Sequence, residues 1–222
     1  MIEFNQLWKT GAMGASKVEL LEISKEGFFN ARELFISGDI LAEKSKWGTA
    51  TSLLVLSIEE AFKGLVFLMD SQGKNLRNKL DFFKKFLTNH ETRHNASGLI
   101  YYAIGFLQHI LPIITSETKI ENIDLKSIDF INESTDWFEN LDSLKQRGFY
   151  VGFASGQVFS PKDIIETDYY EARRYADHIL ILCEKLLVEV ENNGNTSFID
   201  YLERYFLTPA FEDLIKKNKY SG

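Results

Sequence analysis

Three charged residues stand in an otherwise apolar stretch of this sequence, LLVLSIEEAFKGLVFLM at positions 53–69. They are Glu59, Glu60 and Lys63. On a helix, which turns by about 100° per residue, Glu59 and Lys63 fall on one stripe, so at least one charge must lie near the core. A buried ion is costly unless it is paired and hydrogen-bonded. We therefore expect distant parts of the chain to supply partners, which would make a functional site; the alternative is an internal Glu59–Lys63 pair that only fixes helix packing.

The elements that would position this cluster are helices. Hydrophobic residues make up 45% of the 222 positions and only three are proline, which favours one all-α bundle over many short strands. Apolar residues recur with helical spacing, and turn-forming residues separate the segments. The pattern predicts a helix at about 16–37 that Gly38 and Asp39 stop, and further helices at about 47–69, 76–89, 94–114, 134–146, 163–191 and 197–217, the last interrupted near Pro209.

Two other stretches differ from this helical pattern. Positions 115–126 are polar and predict a loop. Positions 148–161, GFYVGFASGQVFSP, combine three glycines with interleaved aromatics, which predicts a loop or short hairpin. We expect a single domain over residues 1–222, a helical bundle with this insertion and a C-terminal helical extension from about residue 196.

Composition restricts the compartment and the partners. Cys183 is the single cysteine and lies in an apolar run, which is typical of a buried, inert thiol in a reducing compartment. The sequence shows no leader pattern and no stretch of about 18 apolar residues, so we expect a cytoplasmic protein that does not enter the membrane. The net charge of −7 argues against general nucleic-acid coating, although six basic residues between positions 74 and 93 leave a local site open beside a solvated helix face.

The sequence gives no pattern for a metal ion or a cofactor, and we expect neither. No two-histidine helical motif with an acidic ligand occurs, and neither a Gly-rich phosphate loop nor a Gly-x-Ser-x-Gly elbow is present. His90 and His94 flank Arg93 and could join the charged cluster, whereas His109 lies in an apolar run that is typical of a core position.

Three ordered segments resemble the hallmarks of AbiV-type abortive infection proteins, a branch of the HEPN superfamily. SIEEAFK at 57–63 is similar to the family's small-residue helix with a paired Glu and a Lys four residues on. HETR at 90–93 resembles its His-x-x-Lys/Arg element, and LKQRGFYV at 144–151 resembles its Lys-x-Arg-Gly-Leu-Tyr-Val signature, with Phe149 in place of Leu. Ser160-Pro161 follows at a suitable distance, and the resemblance covers roughly residues 31–164.

The resemblance implies a dimeric helical bundle that defends against bacteriophage by arresting functions of the infected cell. Many HEPN proteins are metal-independent endoribonucleases, and their Arg-x4–6-His signature is matched here by Arg173 and His178. In such chemistry the histidine exchanges a proton with the RNA 2′-hydroxyl or the leaving group, and the arginine holds the scissile phosphate. Helical periodicity places His178 away from the core stripe and Arg173 at its flank, in a mixed surface that suits a dimer interface. The alternative for His178 is an ordinary exposed histidine.

Two hypotheses about function follow. A defence ribonuclease, switched on by a phage-encoded activator, would cleave RNA with Arg173 and His178 at a homodimer interface. It could instead use a constellation drawn from the three hallmark segments: Glu60, Lys63, His90, Arg93, Arg147 and Tyr150. A noncatalytic effector would bind a phage protein or the translation machinery, and defence would then survive the loss of Arg173 and His178.

Overall fold

The structure is a computed structural model that describes residues 14–79, 137–138, 140–154, 156–194 and 197–206. This part of the chain is all-α apart from one two-stranded hairpin, as the sequence predicts. The predicted helix at 76–89 beyond residue 79, the helix at 94–114, the loop at 115–126 and the last helix beyond residue 206, with its break near Pro209, lie outside the described residues. The elements are α1 Lys17–Ala42, α2 Trp47–Ser71, α3 Leu76–Lys79, α4 Leu141–Phe149, β1 Gly152–Ala154, β2 Gln157–Phe159, a 3-10 turn Pro161–Asp163, α5 Glu166–Asn193 and α6 Ser197–Phe206.

Helix α1 begins at a capping box and ends later than the sequence indicates. The Ser16 hydroxyl accepts a hydrogen bond from the Glu19 amide, and the Glu19 carboxylate accepts one from the Ser16 amide. Hydrogen bonding to Ser16 lowers the pKa of Glu19. The prediction that Gly38 and Asp39 stop the helix is wrong, since α1 continues to Ala42. A Cβ on Gly38 would lie 3.2 Å from the carbonyl oxygen of Ala50, so this glycine permits close packing of α1 on α2.

Helix α2 is the centre of the bundle. All of its residues are buried or partly buried, and it packs against α1, α4 and α5. Hydroxyl groups on α2 and its neighbours satisfy backbone carbonyls across these contacts: Ser57 donates to Ala31 at 2.7 Å and Ser24 donates to Gly64 at 2.8 Å. A helix that is apolar nearly all round is expected only where neighbours cover every side, as they do here.

Helices α5 and α6 complete the described bundle. The buried face of α5 packs on α2, and its Tyr175 lies in an aromatic cluster with Trp137 and Phe138. Ile199 and Leu202 of α6 are fully buried in the same core. No helix within the described ranges is long and apolar enough to cross a membrane.

The segment after α4 forms a short antiparallel hairpin, which confirms one of the two predicted forms. Strand β1 pairs with β2 so that Phe153 lies opposite Val158, and Gly156 in the turn has a φ of +80°. The boundary lies later than the sequence indicates, because α4 continues through Gly148 to Phe149 before the chain becomes extended. The hairpin therefore begins beyond the Lys-x-Arg-Gly segment, which remains helical.

Candidate functional site

A buried ion pair joins two of the hallmark segments. The Lys145 ammonium on α4 donates to the Glu59 carboxylate on α2 at 2.7 Å, and the two residues are only 6% and 0% exposed. Ser52 of α2 also donates to the backbone carbonyl of Lys145, at 2.8 Å. The expectation that a carboxylate of the apolar helix finds a partner far along the chain is thus confirmed.

Glycines allow the backbones around this pair to approach unusually closely. A Cβ on Gly148 would lie 2.1 Å from the Ser52 hydroxyl and 2.3 Å from the carbonyl oxygen of Gly48. A Cβ on Gly48 would in turn lie 2.4 Å from the carbonyl oxygen of Pro161. The start of α2, the glycine of the Lys-x-Arg-Gly segment and the Ser-Pro segment therefore meet at one point of the fold.

The second carboxylate of the cluster has a nearer partner. Glu60 forms an ion pair with Lys63, one turn along α2, and both side chains are mostly buried. Arg147 is half-buried, and Tyr150 is exposed with its ring against Phe149. Within the described residues no hydrogen bond or ion pair joins Arg147 or Tyr150 to the Glu60–Lys63 pair.

Of the four described members of the proposed six-residue constellation, Glu60 and Lys63 are joined by direct contact. His90 and Arg93 lie outside the described residues. Lys145 belongs to the same signature as Arg147 and makes the ion pair with α2, yet it was not among the predicted site residues. The signal available in the sequence was the cost of burying Glu59 in an apolar helix, which requires a cation from elsewhere in the chain.

Arg173 of α5 is held in a fixed orientation by Asp39 of α1. Its Nε and one Nη donate to the two carboxylate oxygens, each at 3.0 Å, and its guanidinium lies 5.0 Å from the centre of the Phe35 ring. The hydrogen bond to Asp39 raises the pKa of Arg173. Tyr169 donates its hydroxyl to the same carboxylate, and burial followed by this hydrogen bond raises the pKa of the phenol. Sequence reasoning missed Asp39 as the partner of Arg173, because Gly-Asp was interpreted as a helix stop.

His178 lies on α5 and is half-buried, in agreement with a position outside the core. On a regular helix it stands about 140° around from Arg173 but only about 40° from Arg174, which is one turn earlier. Arg174 is exposed, and its guanidinium lies 4.9 Å from the centre of the Tyr175 ring and donates to the Tyr175 hydroxyl at 3.2 Å. Two arginines in different environments thus precede this histidine by about one turn of the helix.

Cys183, about 140° around α5 from His178, belongs to the core. It is fully buried with its sulfur 3.9 Å from the carbonyl oxygen of Ala61, and burial raises the pKa of the thiol. The structure thus confirms the buried thiol that the sequence predicts.

This arrangement, an all-α bundle whose central helix carries a paired Glu and a Lys and receives a lysine from the Lys-x-Arg-Gly segment, defines a HEPN-like protein. The family model HEPN_AbiV, described as AbiV, matches residues 19–181, well over half of the chain. The chain therefore belongs to the AbiV family of abortive-infection, HEPN-domain defence proteins. The match runs from α1 into α5 and includes both Arg173 and His178. Searches of curated proteins and of solved structures gave no match.

Proposed function

We propose that this protein is an antiphage effector that cleaves RNA in the infected cell without a metal ion, acting as a homodimer once a phage-encoded protein activates it. One observation carries the proposal: a guanidinium held by Asp39 and a partly accessible histidine stand five residues apart on one helix, inside the family match. These are the two side-chain types that metal-independent RNA cleavage needs.

His178 is the proton-transfer group in this proposal. Histidine is the side chain whose charge changes near neutral pH, so it can take a proton from the 2′-hydroxyl or give one to the leaving oxygen. A fully buried imidazole could not reach RNA, and a fully exposed one would not be oriented. The half-buried position of His178 satisfies both requirements.

Arg173 binds the scissile phosphate in this proposal, and Asp39 positions it. A guanidinium has five N–H donors, and the Asp39 carboxylate accepts only some of them, so donors remain for phosphate oxygens. The guanidinium of Arg173 is cationic at every physiological pH, as that of any arginine is. Arg174, which shares a helix stripe with His178, is the alternative phosphate ligand, and substitution distinguishes the two.

The test is cleavage of labelled RNA by the purified protein and its phage activator in the presence of EDTA. We expect His178→Ala to slow cleavage by a factor of about 100 or more, the usual contribution of general acid–base catalysis. Arg173→Ala should act similarly, whereas Lys185→Ala, an exposed cation on the same helix, is the matched control and should cleave normally. Unimpaired cleavage by His178→Ala would refute the assignment, and loss on Arg174→Ala alone would move the phosphate site to that residue.

A noncatalytic effector is the second candidate, and the hairpin favours it. Phe153 and Val158 form a cross-strand pair and are 71% and 70% exposed, next to the exposed Tyr150 and Val151. Exposed apolar groups in such a cluster are typical of protein-binding surfaces. This candidate predicts that Phe153→Ser with Val158→Ser abolishes defence while His178→Ala retains it.

A further inference from the structure

Tyr170 is an exposed aromatic residue near the start of α5. It is 57% exposed, although the apolar ring of a tyrosine usually packs against other side chains. On a regular helix it stands about 140° around from Cys183, on the side of α5 that points away from the core. The ring therefore contributes little to the packing of the bundle and is accessible to a ligand.

A buried neighbour connects this ring to the proposed phosphate-binding group. The rings of Tyr169 and Tyr170 meet edge to face, with their centres 5.2 Å apart. Tyr169 donates its hydroxyl to the Asp39 carboxylate, and the same carboxylate accepts two hydrogen bonds from Arg173. Tyr169 thus contacts the exposed ring on one side and, through Asp39, orients the guanidinium on the other.

Tyr170, Arg174 and His178 follow one another along the outer side of α5 at intervals of one turn. Each step of four residues advances about 6 Å along the axis and about 40° around it. Arg173 lies three residues after Tyr170 and about 60° to its other side. The ring is therefore one turn from either arginine and two turns from the histidine that would transfer the proton.

This order of side chains corresponds to the parts of a nucleotide. A phosphate binds a guanidinium through charge-assisted hydrogen bonds, whereas a base has a flat π face that stacks on an aromatic ring. Because a base is joined through its ribose to the phosphate beside it, a phosphate at either arginine leaves a neighbouring base within reach of Tyr170. A base can stack on a protein ring only where it is not paired within a duplex.

The charges on either side of Tyr170 determine how RNA would lie across it. Glu166 is exposed one turn before Tyr170, and Arg174 is exposed one turn after it. A phosphate is repelled by the carboxylate and attracted by the guanidinium, so the backbone should lie toward Arg174 while the uncharged base covers the ring. The carboxylate also disfavours further phosphates beyond Tyr170, which limits the subsite to one base.

We propose that Tyr170 is a base-binding residue whose ring stacks one unpaired base next to the scissile phosphate. The inference rests on the proposed function, because it requires that phosphate to be bound by Arg173 or Arg174. It adds a specificity: the nucleotide beside the cleaved bond is unpaired, and a purine, which has the larger π face, binds there more tightly than a pyrimidine.

The test is the binding of single-stranded oligoadenylate and oligouridylate, measured by fluorescence anisotropy with the phage activator present. The full-length His178→Ala protein is used so that the RNA stays intact. We expect oligoadenylate to bind more tightly, and we expect Tyr170→Leu in this background to weaken its binding by about 5- to 150-fold, the usual effect of losing one stacked base. Tyr170→Phe keeps the ring and should bind normally. Phe29→Ala, which removes a similarly exposed ring from α1, is the matched control and should also bind normally.

Steady-state cleavage distinguishes stacking from a purely structural role of Tyr170. If the residue only supported Tyr169, and through it Arg173, Tyr170→Leu would lower kcat on every RNA. A stacked base that is bound equally in the ground state and the transition state instead affects KM and leaves kcat nearly unchanged. We therefore expect Tyr170→Leu to raise KM, and to raise it more for purine sites than for pyrimidine sites.

The outcomes separate this inference from the proposed function. Equal oligoadenylate binding by Tyr170→Leu and Tyr170→Phe, no binding of either oligonucleotide, or a fall in kcat without a change in KM would overturn the base-binding role. RNA cleavage by the wild-type protein would still stand on its own assay. If the wild-type protein cleaved no RNA, the proposed function would fail, yet binding of oligoadenylate that depends on the ring would support stacking on Tyr170.

Discussion

Among single residues, the buried Glu59–Lys145 pair has the largest expected effect on stability. Lys145→Met keeps most of the packing but leaves Glu59 without its ammonium partner in the core. Breaking a buried pair from one side typically costs about 3–5 kcal/mol. We expect a loss of this size in the free energy of unfolding, measured by urea denaturation.

The double variant Glu59→Leu with Lys145→Met provides the control. Replacing both partners with apolar side chains removes the buried carboxylate together with the ammonium, so the double variant should be more stable than Lys145→Met alone. If the double variant were the less stable of the two, the pair would not be the cause of the loss.

The Cys183 thiol should be chemically inert in the folded protein. Burial raises its pKa, so little thiolate forms, and reagents cannot reach the sulfur. We expect no reaction with a disulfide reagent at pH about 8 under native conditions, and one equivalent of reaction in denaturant. Rapid labelling of the native protein would show that α5 does not pack as described.

At this scale, the sequence could predict that a charge needs a partner but could not name the partner. The cost of burying Glu59 is a local property of an apolar helix, and it follows from the sequence alone. Lys145 is 86 positions away, and only the packing of α4 on α2 brings the two together. Asp39 was misjudged for the same reason, because its partner Arg173 lies 134 positions later.

Among the elements, the contact of α4 with α2 should tolerate no side chain at Gly148. A Cβ there would lie 2.3 Å from a backbone oxygen of Gly48, which cannot move aside as a flexible side chain could. We expect Gly148→Ala to destabilise the protein by about 1–3 kcal/mol or more, the range for overpacked cores, in thermal unfolding. Gly14→Ala, where a Cβ meets nothing within 4 Å, is the control; equal stability of the two variants would contradict this packing.

Helix α6 should detach in acid. Lys74 pairs with Asp200 and Glu203, and Lys79 pairs with Glu203 at 2.7 Å. Burial raises the pKa of Glu203, but hydrogen bonds from Lys79 and Lys74 outweigh it, so the pKa is lowered overall. A lowered carboxylate pKa contributes stability above the ordinary value of about 4.3, and this contribution is lost as the pH falls through the lowered value.

Hydrogen exchange of residues 199–206 measures this effect. We expect their protection to fall over that acidic range before the protection of α2 does, and we expect Glu203→Gln to lose most of the pH dependence. Protection of α6 that stays constant through the range, or the same acid sensitivity in Glu203→Gln, would show that these ion pairs do not hold the helix.

Periodicity predicted the three long described helices, α1, α2 and α5, because amphipathic spacing is a property of neighbouring residues. The end of α1 was missed because Gly38 looks like a stop in isolation, whereas in the fold it is the point of closest approach to α2. The hairpin was recognisable because its glycines and aromatics break the helical pattern locally.

On the scale of the whole molecule, the order of the helices in space was beyond the sequence. Three ion pairs between α1 and α5 join residues more than 130 positions apart: Lys25–Glu191, Arg32–Glu184 and Asp39–Arg173. The regular spacing of Lys25, Arg32 and Asp39 can be explained only when the position of α5 is known. The family, in contrast, could be recognised from three short segments, because their order and spacing are set by the fold that they share.

The central claim is that defence depends on the chemistry of His178, and the efficiency of plating of a sensitive phage tests it most directly. Cells carrying the wild-type protein are compared with cells carrying His178→Ala at equal protein level, with Lys185→Ala as control. We expect phage to plate on the His178→Ala cells as well as on cells without the protein, and as poorly on Lys185→Ala cells as on wild type. Full protection by His178→Ala would contradict the claim and favour the noncatalytic effector.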